Sequence, residues 1–321
     1  MICMSSPAPS ATLAETTPAQ SPSGRGDSGP VAAPRRTGSE REIPTRRIDF
    51  GFGEVNLPRH FMNGDVLPSH IVAVLSCLFP EGEDFFVQSV RNYRDQITDP
   101  ELAEQVKGFI GQEAIHGREH RAFNEALREL GYPVRILDGR VRIGMGVLSK
   151  VAPKRFQLAV TAALEHYTAT LAEILLRSRS LDEDTHVAEV RELFYWHAVE
   201  ESEHKAVAFD VLEQVSGSER LRVNVMRITT AAFLFAVASG ALVSMATDPA
   251  ARDLGRLRRE LGELRDNPAV SRECVQRIRD YNRPGFHPDD HDTSGLLAQW
   301  RERLFGTDGT LRDRLRRTRA A

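Results

Sequence analysis

From about Leu67 onward, apolar residues recur every three or four positions, the period of an amphipathic helix. No run of alternating β-branched residues is long enough for a sheet. The pattern predicts a helix through SHIVAVLSCLF, a break at Pro80, and a continuation through EDFFVQSVRNYRDQI. Asp99-Pro100 opens a long helix that Gly131 and Pro133 close. A looser segment follows, Pro153 starts KRFQLAVTAALEHYTATLAEILL, and a fourth helix runs from about Asp184 to Val215, where SGSER stops it. The expected class is all-α: four long helices of bundle length with short extra helices outside them.

The flanks read differently. Residues 1–45 are rich in Ser, Pro, Ala, Gly and Thr without periodicity, which predicts a disordered segment ahead of a bundle domain at 46–250 and a helical extension at 251–321. About 20 uncharged residues lie between Arg227 and Asp248. Thr229, Thr230, Ser239, Gly240 and Ser244 fit a helix buried against the bundle, while the length leaves a membrane contact through 228–246 open. The tail is basic and surface-like, and YNRPGFHPDDHD, with His287, Asp289, Asp290, His291 and Asp292, reads as an exposed acidic turn before it reads as a metal site. A net charge of −3 argues against a nucleic-acid partner. Three scattered cysteines, and no apolar run behind a basic start, suggest a reducing, cytoplasmic setting.

The chemistry lies in FYWHAVEESEHKAVAFDV. At about 100° per residue, His197, Glu201 and His204 share a stripe with Phe194, Ala198, Ala208 and Val211, so they should project inward. Glu200 falls at the edge of that stripe, and Glu203 points away beside a solvent-facing Ser202. In QEAIHGREH, Glu113, His116 and His120 continue an apolar face begun by Val106, Phe109 and Ile110, with Glu119 on another face. Two helices therefore carry inward Glu-x-x-His, the pattern of dinuclear carboxylate bundles, in which each of the other two helices adds one Glu. Glu83, on a stripe with Phe86, Val87 and Val90, is the inward acid of its helix, whereas Asp84 lies with Gln88 and Arg91. Glu165 has Leu158, Thr161, Ala162, Ala169 and Ala172 around it, small neighbours that leave room for a ligand pocket, and Glu173 looks exposed.

Four carboxylates match the charge of two divalent ions, with neutral imidazoles as further ligands. Ordinary buried ion pairs would need Lys or Arg on the same stripes, and few sit there. Glu83, Glu113, His116, Glu165, Glu201 and His204 are thus expected to converge on one point. His197 should be a seventh ligand or stand beside the metals, and His120 should hold a ligand carboxylate.

FPEGEDFFVQSVR, FIGQEAIHGREHRAFN, the WHAVEESEHKAVAFDV block and the RPGFHP loop resemble, in content and order, the ferritin-like superfamily and within it the predicted metal-dependent hydrolases. The likeness covers roughly residues 50 to 300 and implies a ferritin-like four-helix bundle. A more distant resemblance is to di-iron arylamine N-oxygenases, whose last ligand helix carries His-x-x-x-Glu-x-x-His. His197, Glu201 and His204 have that spacing, which implies a seventh ligand from His197.

The carboxylate-rich set favours two metal ions, iron first with manganese or zinc open, activating O₂ to oxidise an apolar or lipid-like small molecule. The alternatives are a metal-dependent hydrolase, as the family label states, and a non-enzymatic metal-binding bundle. Partners expected besides a small-molecule substrate are a membrane surface or a second copy of the chain.

Overall fold

The computed structural model describes residues 42–315, and the expected disorder of residues 1–41 lies outside the described residues. Residues 42–45 are described and belong to an extended segment, where Pro44 O accepts from Gln112 Nε2 at 3.1 Å. The helices in chain order are α1 (Val66–Arg91), α2 (Pro100–Glu129), α3 (Val134–Val151), α4 (Lys154–Ser178) and the single turn α5 (Leu181–Asp184). They continue as α6 (Ala188–His204), α7 (Val207–Ser216), α8 (Glu219–Ala246), α9 (Leu254–Leu264), α10 (Arg272–Asp280) and α11 (Ser294–Phe305). The class is all-α, with no strand beyond an isolated Met62–Asp65 bridge among the described residues.

Helices α1, α2, α4 and α6 surround the ionisable residues. Asp99 accepts the Glu101 N–H at 2.9 Å to cap α2 behind Pro100, and Gly131, at φ +88°, closes it with Tyr132 N on Leu127 O. One apolar cluster joins Phe61, Phe123, Leu127, Leu176 and Trp196 at one end of the bundle. A second joins Phe85, Val90, Phe109, Leu158 and Val211 at the other. Along each helix the candidate ligands fall between these clusters, forming a polar belt between two apolar cores.

Four sequence expectations are corrected. Helix α1 runs through Pro80 without a break. Proline cannot donate to the carbonyl four residues back, and Asn124 Nδ2 takes that role, donating to Ser76 O at 3.2 Å. The looser segment after Pro133 is helix α3, within which Gly139, Gly144 and Gly146 weaken the helical reading. The fourth helix is two, interrupted at Lys205–Ala206, where the Lys205 amino group reaches the backbone of His291 and the Thr293 hydroxyl. The turn at 287–292 is docked rather than exposed: His287 and Asp289 are buried, His287 bonds Asp210 at 2.8 Å, and His291 bonds Asp280 at 3.0 Å.

The C-terminal helices bear on the bundle. Glu260 of α9 accepts Val66 N–H at 3.2 Å and Leu67 N–H at 2.7 Å, capping α1, whose own Asp65 makes no side-chain cap. Despite burial, those backbone donors and Arg256 hold its carboxyl below the usual range. Glu260→Ala is expected to lower unfolding free energy by about 1–2 kcal/mol, read by urea denaturation. Because the folded pKa is depressed, the difference between wild type and variant should be full above pH ~4.3 and shrink as the pH falls through the folded pKa.

Candidate metal centre

The belt is built on four helices. Helix α1 supplies Glu83, α2 supplies Glu113, His116 and His120, α4 supplies Glu165, and α6 supplies His197, Glu201 and His204; all are buried. One atom each from Glu113, His116, Glu201 and His204 lies within 4.8 Å of the others, and the same holds for Glu83, His116 and His197. Glu165 stands beside His204, its Oε2 2.9 Å from Nδ1. The six residues expected to converge lie together, with His197 beside them.

What separates these acids from six other buried acids is counter-charge. Glu119, Glu173, Glu200, Glu203, Asp248 and Glu260 each have an arginine within 3.1 Å. Glu83, Glu113, Glu165 and Glu201 pair with no lysine or arginine among the described residues, and at least one oxygen of each makes no hydrogen bond. An unpaired buried carboxylate costs several kcal/mol. Burial accordingly pushes Glu83 and Glu113 far above the ordinary carboxylate range, with neighbouring acids adding to it, and pushes Glu165 up to about 7 against the pull of His204. Glu201 is the exception: burial raises it, but its neighbours, His204 foremost, outweigh burial and hold it low.

The imidazoles face the same way. His116 Nε2 donates to Glu200 Oε2 at 3.1 Å, which leaves Nδ1 unpartnered, 3.7 Å from Glu201 and 4.0 Å from Glu113. Burial keeps His116 neutral, so Nδ1 aims a lone pair at carboxylate oxygens. His197 is set by a chain of hydrogen bonds. The Ser76 hydroxyl donates to Asn124 Oδ1 at 2.7 Å, so His120 Nδ1–H must donate to Ser76 Oγ at 2.9 Å. His120, also kept neutral by burial, then accepts at Nε2 from His197 Nδ1–H at 2.7 Å. His197 Nε2 is left with its lone pair 2.8 Å from Glu201 Oε1 and 3.9 Å from Glu83 Oε1. Lone pair against carboxylate is repulsive unless a cation lies between them. At His204 a proton can serve: burial alone lowers its pKa, but Glu165 and Glu201 outweigh burial and push it up to about 9.

Several sequence readings change here. His120 holds the His197 ring and not a carboxylate. Glu203 and Ser202 are buried: Glu203 takes Arg46, Gln112 and Arg301, because the extended segment around Arg46 and helix α11 cover the outer side of α6. Glu173 is likewise buried, between Arg177 and Arg277. Glu200, placed at the stripe's edge, is the residue that orients His116. Its burial raises it to about 8 although Arg46 sits at 2.9 Å. Arg46, Arg277 and Arg301 lie on segments remote in sequence, where helical periodicity carries no signal, whereas Arg177 is one turn along α4 from Glu173. Ala162 and Ala172 are packed into the two apolar clusters, and Ala169 borders a hollow of about 10 Å³ with His166, Lys205 and His291. The larger cleft, about 670 Å³, is lined by Phe50, Asn56, His186 and Arg314 and by none of the seven residues.

The sequence reading also missed a third cluster. Asp248 Oδ2 lies 2.8 Å from His60, 3.0 Å from His70 and 3.1 Å from Arg59, and His70 Nδ1 meets Ser244 Oγ at 2.7 Å. The guanidinium already supplies the positive charge, so this is a hub tying α8 to α1.

The fold and belt define an all-α protein with a buried carboxylate–histidine centre suited to metal ions. The chain belongs to the family described as predicted metal-dependent hydrolases, whose profile matches residues 44–292, a span that includes every belt residue. No curated protein and no solved structure matches the chain.

Asn124→Leu should free the Ser76 carbonyl and hydroxyl and let His120 and His197 turn. The expected result is a loss of about 1–3 kcal/mol in stability and of about 10–100-fold in metal affinity, measured by chelator competition. Glu173→Gln, which disturbs a buried ion pair outside the belt, should cost stability without changing affinity.

Proposed function

We propose that Glu83, Glu113, His116, Glu165, His197, Glu201 and His204 hold two divalent metal ions and that the loaded protein is a hydrolase acting on a small molecule in the cytoplasm. The observation that carries the metal centre is the convergence of four carboxylates without arginine partners on imidazole lone pairs already turned toward them. Membership of the metal-dependent hydrolase family moves hydrolysis ahead of the oxidation favoured from the ligand set alone. The donors fit the group: oxygen and imidazole nitrogen suit zinc, manganese or iron. When bound, such ions supply Lewis acidity and the means to ionise water near neutral pH.

The chain's own part is orientation and exclusion. Glu200 keeps a proton on His116 Nε2 and so leaves Nδ1 free to bind, and the Ser76–His120 chain does the same for His197 Nε2. Phe79 against His197 (4.5 Å between ring centres), Phe109 against His204 (5.0 Å) and Trp196 against His116 (4.8 Å) wall the imidazoles with apolar rings. They keep bulk water from competing with the ligands.

A second reading is O₂-dependent oxidation of an apolar or lipid-like molecule at two irons, in the manner of ferritin-like carboxylate proteins. Two features favour it: four anionic ligands stabilise oxidised iron or manganese, and the belt is closed between two apolar cores.

Native mass spectrometry of the full chain should find two metal ions per molecule, falling to one or none in Glu113→Ala. The zinc- or manganese-loaded protein should hydrolyse ester or phosphoester substrates, with the rate down at least about 100-fold in that variant. If instead only the anaerobically loaded Fe(II) protein turns over substrate, and only when O₂ is admitted, hydrolysis is wrong and oxidation stands. A chain that binds no metal rules out both.

A further inference from the structure

Eight of the twelve large apolar side chains that stand exposed among the described residues lie on two helices, α3 and α8. On α3 they are Ile136, Ile143, Val147 and Val151, which at 100° per residue fall on one stripe together with Arg140. On α8, Ile228, Phe235 and Leu242 recur every seven residues on a stripe that includes Ser239, with Leu234 beside it. Arg140 Nη2 donates to Ser239 Oγ at 2.6 Å, and a Cβ on Gly240 would meet both Val74 and Leu137 side chains. The two stripes are therefore edge to edge and form one surface.

Charge tells what covers this surface. Residues 134–155 hold six cations, Arg135, Arg140, Arg142, Lys150, Lys154 and Arg155, against the single acid Asp138, which is half-buried facing Cys77. From Leu221 to Thr247 there is no acid at all. Arg142 pairs with Glu81 of α1 at 3.1 Å, and the other five cations leave a chain of net charge −3 with positive charge concentrated around this exposed apolar surface. Apolar side chains rimmed by lysine and arginine match an anionic lipid surface, with the rings and branched chains below the headgroups and the cations at their level. A two-fold dimer through the same face would set these cations against their own copies. A helix crossing the bilayer alone is equally unsuited, because α8 is held lengthwise on the bundle. Gly240 allows contact with Val74 at what would be 2.8 Å from a Cβ, and Ser244 and Asp248 bond His70.

We propose that the joined face of α3 and α8 is a docking site for an anionic membrane surface, with α8 lying in the plane of the interface. The inference stands independently of the reaction assigned to the metal centre. It places α1 and α4, which carry Glu83 and Glu165, directly behind the lipid-facing layer, since α8 packs on both.

The test is co-sedimentation of the full chain with phosphatidylcholine vesicles, with and without about one third phosphatidylglycerol. Binding to the anionic vesicles should be at least about fivefold tighter than to the neutral ones and should weaken in high salt. Ile143→Glu with Phe235→Glu, both at solvent-exposed positions, should lower it at least about tenfold with the helical circular dichroism unchanged. Lys150→Glu with Lys154→Glu, a pair with no role in packing, should lower it as well and serves if the first pair misfolds. A chain that stays in the supernatant with both vesicle types overturns the proposal. So does a dimer in analytical ultracentrifugation that the Ile143→Glu, Phe235→Glu variant disperses, since the face would then be an interface between copies of this chain.

Discussion

Four carboxylates in the middle of a helical bundle with no arginine among them set the terms for the rest of the structure. The protein has arginines to spare and spends them on its other buried acids: Arg46 on Glu200 and Glu203, Arg277 on Glu173, Arg256 on Glu260. Within the belt only His204 offsets the crowded acids, and two apolar clusters close the belt above and below. Such an arrangement costs stability unless cations enter, and so the same feature that makes the belt a metal centre makes the chain's stability depend on its metal.

A second layer of order follows from one proline. By removing a donor within α1, Pro80 frees the Ser76 carbonyl for Asn124, and the Asn124 amide then fixes which way the Ser76 hydroxyl points. The direction of that hydroxyl fixes the tautomer of His120, and His120 fixes that of His197. A residue whose usual effect is to bend or break a helix here contributes to the aim of a ring nitrogen about a helical turn away, without interrupting the helix.

Much of this was legible in the sequence where the information is local. Helical period alone placed Glu83 rather than Asp84 inward and put Glu113, His116, Glu201 and His204 on facing stripes, because a stripe is a property of one helix. Period could not tell that α6 is enclosed on all sides, since the cover for Glu203 and Ser202 comes from Arg46, 157 residues away from Glu203, and from Arg301 on α11. It likewise could not show that Glu173 is covered by Arg277 of α10, although its local partner Arg177 lies one turn along the same helix. The break expected at Pro80 failed for the same reason: the compensating donor, Asn124, belongs to another helix. Helix α3 was missed although Ile136, Ile143, Val147 and Val151 recur at helical spacing, because Gly139, Gly144 and Gly146 within it weaken the helical reading.

The extended segment at 42–50 bears on the order in which the molecule can be assembled. It is made before the helices, yet Arg46 finds its acids only when α6 has been made, and Phe50 lies tilted against Trp196 of the same helix. The hairpin of α1 and α2 can close long before that, exposing Glu83, Glu113 and His116 as half of a centre without its other half. Until α6 arrives and the segment closes over it, any ion captured by the hairpin remains open to exchange with water and with competing chelators. A segment made ahead of every helix is thus among the last to take its place.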